Sequence, residues 1–538
     1  MQEVSENWKN AHKQTLLNES FVEVSVDIGD PDALADASTE DNGAVYLSHS
    51  PELTIRDKSP VPYCTLEQNL WVLDGKRKSI PVEFYVEGVY VSDAMSDDLC
   101  VFSSRLPIIT LTFSKVFTNL IPGVTITWGA AYEEFADTFV VTAYNGNTIV
   151  AEKEVIGNRS VKSLVVMDIV NYDRIEVIIK KWCLPNHRAR IDEIFLGISR
   201  TYSKSELFDY THTQSVDPLS TSLPKTEIKF SISNVDGEYN PYNTEGWAKY
   251  LMDRQEVHAK YGLKQNDGTI EWIKGGTFYL SEWSAKQNGI TADFAARDLL
   301  EYMSATYYDD EYIEEYESIQ ADGRNLYDLA ERVLSAANLP DNPGGTVKWR
   351  IDEYLSTIKT TAPLPQDTLA NCLLLIANAG ECVIYQDREG LLHIKRSSLT
   401  PKDYAISPSV SYTKPEIALS KPINRIAVKV YTYTKGSDGK ISSTTNNVSG
   451  TVKSTGEIIV IDNPLITDET RARIVASWFV EELRKRMTLD FSWRPDVRLD
   501  ALDVITSKSE YETASVRMTD VEFKFNGAFR GTGKGRVI

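Results

Sequence analysis

Residues that could do catalytic chemistry are present, but their spacing forms no catalytic or metal-binding motif. The six histidines lie far apart, and none forms the HExxH or HxxxH pattern that places two imidazoles on one helix face for zinc. No Gly-x-Ser-x-Gly elbow for a serine hydrolase is present. Gly533 and Lys534 match part of a P-loop, but Ala528 replaces its first glycine and Gly535 its hydroxyl residue. We therefore expect a protein that is not an enzyme and has no cofactor or metal.

Neighbouring carboxylates, such as Glu133 with Glu134 and Asp309 with Asp310, are frequent because the chain is acidic. Glycoside hydrolysis needs two carboxylates about 5 to 9 Å apart across a cleft, a distance that sequence does not define. A solvated charged surface is the favoured interpretation of each pair. A multidomain glycoside hydrolase of β-sandwich type stays a low-ranked alternative, and it predicts turnover of cell-wall polysaccharide.

One region, within residues 82–200, offers aromatic and polar side chains that could stack on a sugar and hydrogen-bond to it. The candidate carbohydrate-binding residues are Tyr132, Tyr144, Asn145, Trp182, His187 and Arg188. Core packing competes with this interpretation and is favoured for each residue singly. The acidic residues Asp93, Asp97 and Asp98 could bind Ca²⁺, but their spacing fits no known calcium loop.

The overall charge constrains the partners. A net charge of −20 and a pI near 4.9 oppose a surface that grips nucleic acid, which needs positive charge. An acidic wall would instead repel DNA and let it slide past, and acidity also favours solubility. No run of 18 apolar residues is present and the N-terminus is polar, so we predict no membrane insertion and synthesis in the cytoplasm. Five scattered cysteines predict free thiols there.

Hydrophobic periodicity predicts a mainly β protein with α+β parts. Ile228, Phe230 and Ile232 alternate with Lys229 and Ser231, which is the period of a half-buried strand. A similar alternation runs over residues 22–28. Between residues 82 and 200, short strands separated by Asn/Gly turns predict a two-sheet sandwich.

The period changes after residue 300. Apolar residues at helical spacing predict one helix that ends before Pro340 and a second that ends at Gly380. A hairpin with its turn over residues 387–390 follows. From Lys421 the chain is mostly strand, with a polar loop predicted over residues 442–449 and one helix around Trp478.

The stretch from Pro224 to Asp298 is the most informative. A strand, then Asn-x-Asp-Gly-x-x-Asn-Pro from Asn234 to Pro241, then a Gly-x-Phe-Tyr-Leu strand at Gly276 resembles tail hub proteins of phages and phage-tail-like particles. The segments TLEQNLWVLDGKRKSIP (residues 65–81), CVIYQDREGLLHI (residues 382–394) and FNGA (residues 525–528) resemble the same family. The resemblance runs from residue 22 to residue 528, without some loops.

A second resemblance covers the sandwich. The order PIITLTFS, GVTITW, TFVVTAYNGN, YDRIEVIIKKW and RARIDEIFLG is similar to the galactose-binding-like (discoidin-type) jelly roll. Together the two resemblances imply five segments. They are an N-terminal arm with the first part of a barrel-like hub domain (1–80), a galactose-binding-like jelly-roll insertion (81–202), the second part of that barrel-like domain (203–300), a mixed α/β hub domain (301–415) and a second barrel-like hub domain (416–538).

The family resemblance implies a structural virion protein of a bacteriophage tail or baseplate. Such a hub closes the distal end of the tail tube and connects it to the spike or fibre. In the family, three copies with two barrels each present six units to a sixfold tube, so a homotrimer ring is expected. The further expected partners are a tail tube or distal tail protein, the central spike or fibre, a tape-measure protein and a cell-surface glycan. Any peptidase, lysozyme or fibre is expected on another chain.

A carbohydrate-binding adhesin is the alternative from another class of function. In that hypothesis the jelly roll recognises a bacterial cell-wall glycan and the rest of the chain is scaffold. Binding of a sugar that depends on Tyr144 or Trp182 would support it.

Overall fold

The computed structural model describes residues 1–14, 18–45, 48–54, 89–286, 289–310, 312, 315–337, 339, 347–437, 441–451, 457–508 and 513–538. About half of the chain is strand (49%) and 17% is helix, arranged in several sheets. The predicted fold class, mainly β with α+β parts, is confirmed. The family-like segment of residues 65–81 lies outside the described residues.

The strands of the first 202 residues belong to three sheets. In chain order the elements are α1 (Glu6–Lys13), β1 (Ser20–Gly29), α2 (Pro31–Asp36), β2 (Ser38–Asp41), β3 (Tyr90–Met95), β4 (Ile108–Phe117), β5 (Ile121–Trp128), β6 (Ala136–Asn145), β7 (Thr148–Ile156), β8 (Lys162–Ile169), β9 (Tyr172–Trp182), β10 (Arg188–Phe195) and β11 (Gly197–Tyr202). Strand β1 buries alternate residues as its sequence predicted.

Two antiparallel sheets form the predicted sandwich. Their strand orders are β3-β10-β5-β8 and β2-β4-β9-β6-β7, and one apolar cluster fills the space between them, with Trp128, Phe139 and Ile175 fully buried. Strand β2 comes from the segment assigned to the first barrel-like region, yet it pairs with β4.

The middle of the chain adds five strands and then a mixed region. These elements are β12 (Leu207–Ser215), β13 (Lys225–Ser233), β14 (Glu256–Lys264), β15 (Ile270–Ala285), β16 (Thr291–Arg297), α3 (Tyr316–Asp322), β17 (Arg324–Asn325), α4 (Leu326–Ala336), β18 (Trp349–Ile351), β19 (Lys359–Thr360), α5 (Leu369–Ala379), β20 (Val383–Gln386) and β21 (Leu392–Lys395). The antiparallel pair β20-β21 is the predicted hairpin.

The last part of the chain is again mostly strand. Its elements are β22 (Pro401–Ile406), β23 (Glu416–Leu419), β24 (Ile423–Lys435), β25 (Ile441–Thr451), β26 (Glu457–Ile461), α6 (Glu469–Arg484), β27 (Met487–Trp493), β28 (Val504–Lys508), β29 (Thr513–Phe525) and β30 (Phe529–Val537). Among the described helices, none is long and apolar enough to cross a bilayer.

One correction concerns residues 442–449, for which the sequence predicted a polar loop. They lie in β25, which pairs with β24 in an unbroken antiparallel register from Arg425↔Thr451 to Lys435↔Ile441. Serine, threonine and asparagine suggested a loop because they favour turns in isolation. The backbone hydrogen bonds to β24 override that local preference.

A thirteen-stranded sheet dominates the structure. Its main path is β11-β1-β14-β15-β16-β13-β12-β29-β30-β27-β23, while β28 pairs with β29 and β22 pairs with β28. This sheet therefore contains strands from both predicted barrel-like regions, while β24, β25 and β26 of the second region form a separate sheet. In the described part of the chain this sheet does not close into a barrel.

The two halves of this sheet meet where β12 pairs with β29. The register runs from Tyr210↔Phe525 to Ser215↔Asp520. One apolar cluster extends beneath both halves, and it includes Val24 and Phe230 from one half and Phe523 from the other.

The turn of the family-like motif is built by its own side chains. Asn234 is buried, its amide oxygen accepts from the backbone N–H of Tyr239 at 2.9 Å, and its own N–H donates to the carbonyl of Ile290 at 2.7 Å. Gly237 has φ +67°, a left-handed conformation that favours glycine. The motif thus specifies a compact turn between β13 and β14.

Replacing Phe523 with alanine tests whether the shared core stabilises the sheet. Phe523 is buried at the β12-β29 junction, so its truncation leaves a cavity and should cost about 3 to 5 kcal/mol of unfolding free energy. Lys524→Ala, on the exposed side of the same strand, should change it by less than about 0.5 kcal/mol. Urea denaturation followed by circular dichroism measures both variants, and equal effects would contradict this description of the core.

Candidate functional site

The predicted sugar-binding residues lie at two opposite ends of the sandwich. In the pairing of β6 with β9, Trp182 is opposite Ala136, whereas Tyr144 is opposite Arg174. The eight residue steps from Ala136 to Tyr144 separate these positions by about 26 Å along the strand. The six candidates therefore do not converge on one sugar site.

Trp182 belongs to the core of the sandwich. Its ring is fully buried, packs edge-on against Trp128 at 6.1 Å, and donates its indole N–H to the Glu134 carboxylate at 2.8 Å. Arg190 also contacts Glu134, at 3.1 Å. The indole is thus inside the fold, where no sugar can stack on it.

The other candidates at this end have internal partners as well. His187 is buried, with its ring nitrogen Nδ1 2.7 Å from the carbonyl of Pro185. Arg188 donates to the carbonyl of Ser92 at 3.0 Å. The guanidinium of Arg190 lies 4.7 Å above the ring of Tyr132. These contacts position loops of the sandwich.

At the opposite end, Tyr144 and Asn145 lead into the β6-β7 turn. The Tyr144 ring is half-buried beneath the guanidinium of Arg174, at 4.2 Å, and Asn145 is exposed. The N–H of Gly146 donates to Asp173 at 2.8 Å, which fixes the turn. Sugar binding at this end stays a prediction.

The acidic residues considered as Ca²⁺ ligands form hydrogen bonds and an ion pair with neighbouring residues. Asp97 accepts from the backbone N–H of Leu99 at 2.9 Å, and Asp98 accepts from the amide of Asn186 at 3.0 Å. Asp93 pairs with Arg105 at 3.1 Å. Their hydrogen bonds shape the loops around β3.

A partly buried cluster that sequence reasoning missed lies in the large sheet, with Asp27 buried and Glu256 and His258 half-buried. The ligand-type atoms of Asp27, Glu256 and His258 lie within 4.8 Å of one another. His258 Nε2 is 3.0 Å from Asp27 and 3.4 Å from Glu256. Lys348 adds an ammonium 3.1 Å from Glu256 and donates to the hydroxyl of Tyr279 at 3.2 Å. The pairing of β1 with β14 brings Asp27 to Glu256 and His258.

The charges of this cluster compensate one another. Burial alone would lower the pKa of His258, but its hydrogen bonds to Asp27 and Glu256 and the charges of both carboxylates raise it to about 9. Burial would also lower the pKa of Lys348, but the neighbouring Glu256 and Tyr279 raise the pKa of its ammonium above the ordinary value. Two cations thus face two carboxylates, and the cluster joins the large sheet to the segment that leads into β18.

We expect the imidazolium of His258 to make stability depend on pH. Its pKa is higher in the folded protein (about 9) than the ordinary value of 6.5, so its contribution is fully present below pH 6.5 and is lost as the pH rises through 9. The difference in unfolding free energy between the wild type and His258→Gln should therefore shrink between about pH 6 and pH 10.

Urea denaturation at several pH values measures this difference. Asp298, whose burial raises its pKa to about 7, titrates in both proteins and cancels in the comparison. A difference that stays constant over the whole range would show that His258 is neutral in the fold.

The strongest candidates for contact with other molecules are two open strand edges that expose aliphatic side chains and contain no lysine. At the end of the large sheet, β23 pairs with β27 and is the terminal strand of the described path. All four of its residues are exposed, including Ile417 at 66% and Leu419 at 63%. We call this strand the β23 edge.

The second edge belongs to the three-stranded sheet β25-β24-β26. There β26 pairs parallel with β24, and among the described strands no other pairs with it. Ile461 is buried in the cluster that contains α6, whereas Ile458 and Val460 point the other way and are 62% and 54% exposed. We call this strand the β26 edge.

Proteins usually protect open edges with lysine, proline or a bulge. Residues 417–419 and 458–461 contain neither lysine nor proline. Their composition was the signal available in the sequence, but only the sheet order identifies these strands as edges. Exposed aliphatic pairs on unprotected edges indicate surfaces that another chain covers.

No protein-family model matches the sequence, and no curated protein matches it. Solved structures similar to the chain include the 43 kDa tail protein of prophage MuSo2 from Shewanella oneidensis. It is 14% identical, with a TM-score of 0.41 over 63% of this chain and 95% of that protein.

Two further similar structures are also tail proteins. The tail protein from Neisseria meningitidis MC58 is 9% identical, with a TM-score of 0.43 over 63% of this chain and 93% of its own. Prophage tail protein gp18 from Listeria monocytogenes is 10% identical, with a TM-score of 0.38 over 63% and 91%. All three TM-scores lie below 0.5, so the similarity by itself assigns neither fold family nor function.

Proposed function

We propose that this chain is a structural, non-enzymatic subunit of a phage or phage-like tail. In this proposal it forms the hub ring at the distal end of the tail tube and joins the tube to the spike or fibre. The observation that carries the proposal is the thirteen-stranded sheet, which joins strands from both barrel-like regions and ends in the unprotected β23 edge. The Asn-x-Asp-Gly-x-x-Asn-Pro turn that resembles tail hub proteins lies within the same sheet region.

The architecture suits a load-bearing ring. A continuous sheet transmits force through backbone hydrogen bonds along its whole width, and a single core supports both halves. A net charge of −20 would let DNA or a tape-measure protein pass without being trapped in the lumen. The buried polar residues of the sandwich and of the His258 cluster serve to position elements.

The mass of the purified chain in solution tests this proposal. We expect a trimer of three times 60.5 kDa by light scattering, and a ring with a central hole in negative-stain images. The same sample in denaturant provides the reference mass of one chain. A chain that stays monomeric at every concentration, with no ring in the images, would contradict the proposal.

A further inference from the structure

We propose that the β26 edge of one copy pairs antiparallel with the β23 edge of a second copy. This contact specifies how copies of the chain would join in the proposed ring. It rests on the proposed function in one respect, namely that copies of the chain associate. The two edges have similar lengths, of five and four residues. Each carries two exposed aliphatic side chains at positions i and i+2, on one side of its strand.

An antiparallel register matches these side chains. With Ile417 opposite Val460, Leu419 falls opposite Ile458, so both aliphatic pairs lie on one face of the new sheet. The four side chains, each at least half exposed in the single chain, would then be buried together. Hydrophobic burial and backbone hydrogen bonds would act in the same contact.

The charges at the strand ends favour the antiparallel orientation. In this register Glu416 lies opposite Ile461 of the second copy and Glu457 lies opposite Ser420, so the two carboxylates do not face each other. A parallel pairing with the aliphatic residues aligned would instead place Glu416 opposite Glu457, two like charges.

The contact is heterologous, because the two edges belong to different sheets of the same chain. Such head-to-tail contacts close into a ring when the rotation between copies permits it, and otherwise they extend into a filament. A second copy is the occupant that the structure supports, since the chain itself carries both matching strands. A strand from an unrelated protein is the competing occupant.

Cysteine cross-linking tests the register directly. Ile417→Cys protein mixed with Val460→Cys protein should form a disulfide-linked pair of chains under mild oxidation, because directly opposite residues are within disulfide reach. Leu419→Cys with Ile458→Cys should do the same. Ile417→Cys mixed with Ile156→Cys, an equally exposed residue on β7 of the sandwich, controls for random collision and should give no such product.

Charges introduced at the two aliphatic positions test whether the contact drives association. Ile417→Lys and Val460→Glu should each weaken association at least about tenfold, since each buries an unpaired charge. Both sites are exposed in the single chain, so each variant should keep the wild-type melting temperature. The double variant places opposite charges together and should regain association, measured by light scattering.

The outcomes separate this inference from the proposed function. If the wild type forms rings, but neither cross-link appears and the variants associate normally, the β23-β26 contact is wrong and the hub proposal stands. If the wild type stays monomeric, both the β23-β26 contact and the proposed hub ring are contradicted. If the single variants dissociate and the double variant does not recover, each edge binds a different surface and the pairing is overturned.

Discussion

The pairing of β12 with β29 is the constraint on which the rest of the structure depends. Six successive residue pairs join a strand at residues 210–215 to one at residues 520–525, more than 300 positions later in the chain. On one side of this junction lie, in order, β13, β16, β15, β14, β1 and β11, and on the other lie β30, β27 and β23. Without it, the two halves would be separate small sheets, each with a partly exposed core.

The other parts are attached to this sheet by buried polar contacts. The α/β region is held where the amide of Asn378 donates to the carbonyl of Leu219 at 2.9 Å, and where Arg388 meets Asp500 at 2.6 Å. The His258 cluster makes a further connection through Lys348. Each buried charge in these contacts has a partner, because an unpaired charge in the interior would be strongly destabilising.

These features suit a protein whose work is to hold other molecules in place. The rings and cations that suggested sugar binding are divided between two ends of the sandwich, and Trp182 serves its core. In the described part of the chain, the β23 and β26 edges expose backbone groups together with aliphatic side chains. Such edges recognise other strands through regular backbone geometry, which favours assembly over binding of a small ligand.

The sequence by itself determined the local elements. Alternation identified β13, helical spacing identified α4 and α5, and the turn residues from Asn234 to Gly237 defined their loop, because period and turn chemistry are properties of neighbouring residues. The tertiary structure decided which strands pair. It made residues 442–449 a strand, brought Asp27 to His258, and left Ile417 and Val460 on open edges. Pairing between distant strands depends on which edges remain free after folding, and no local pattern records that.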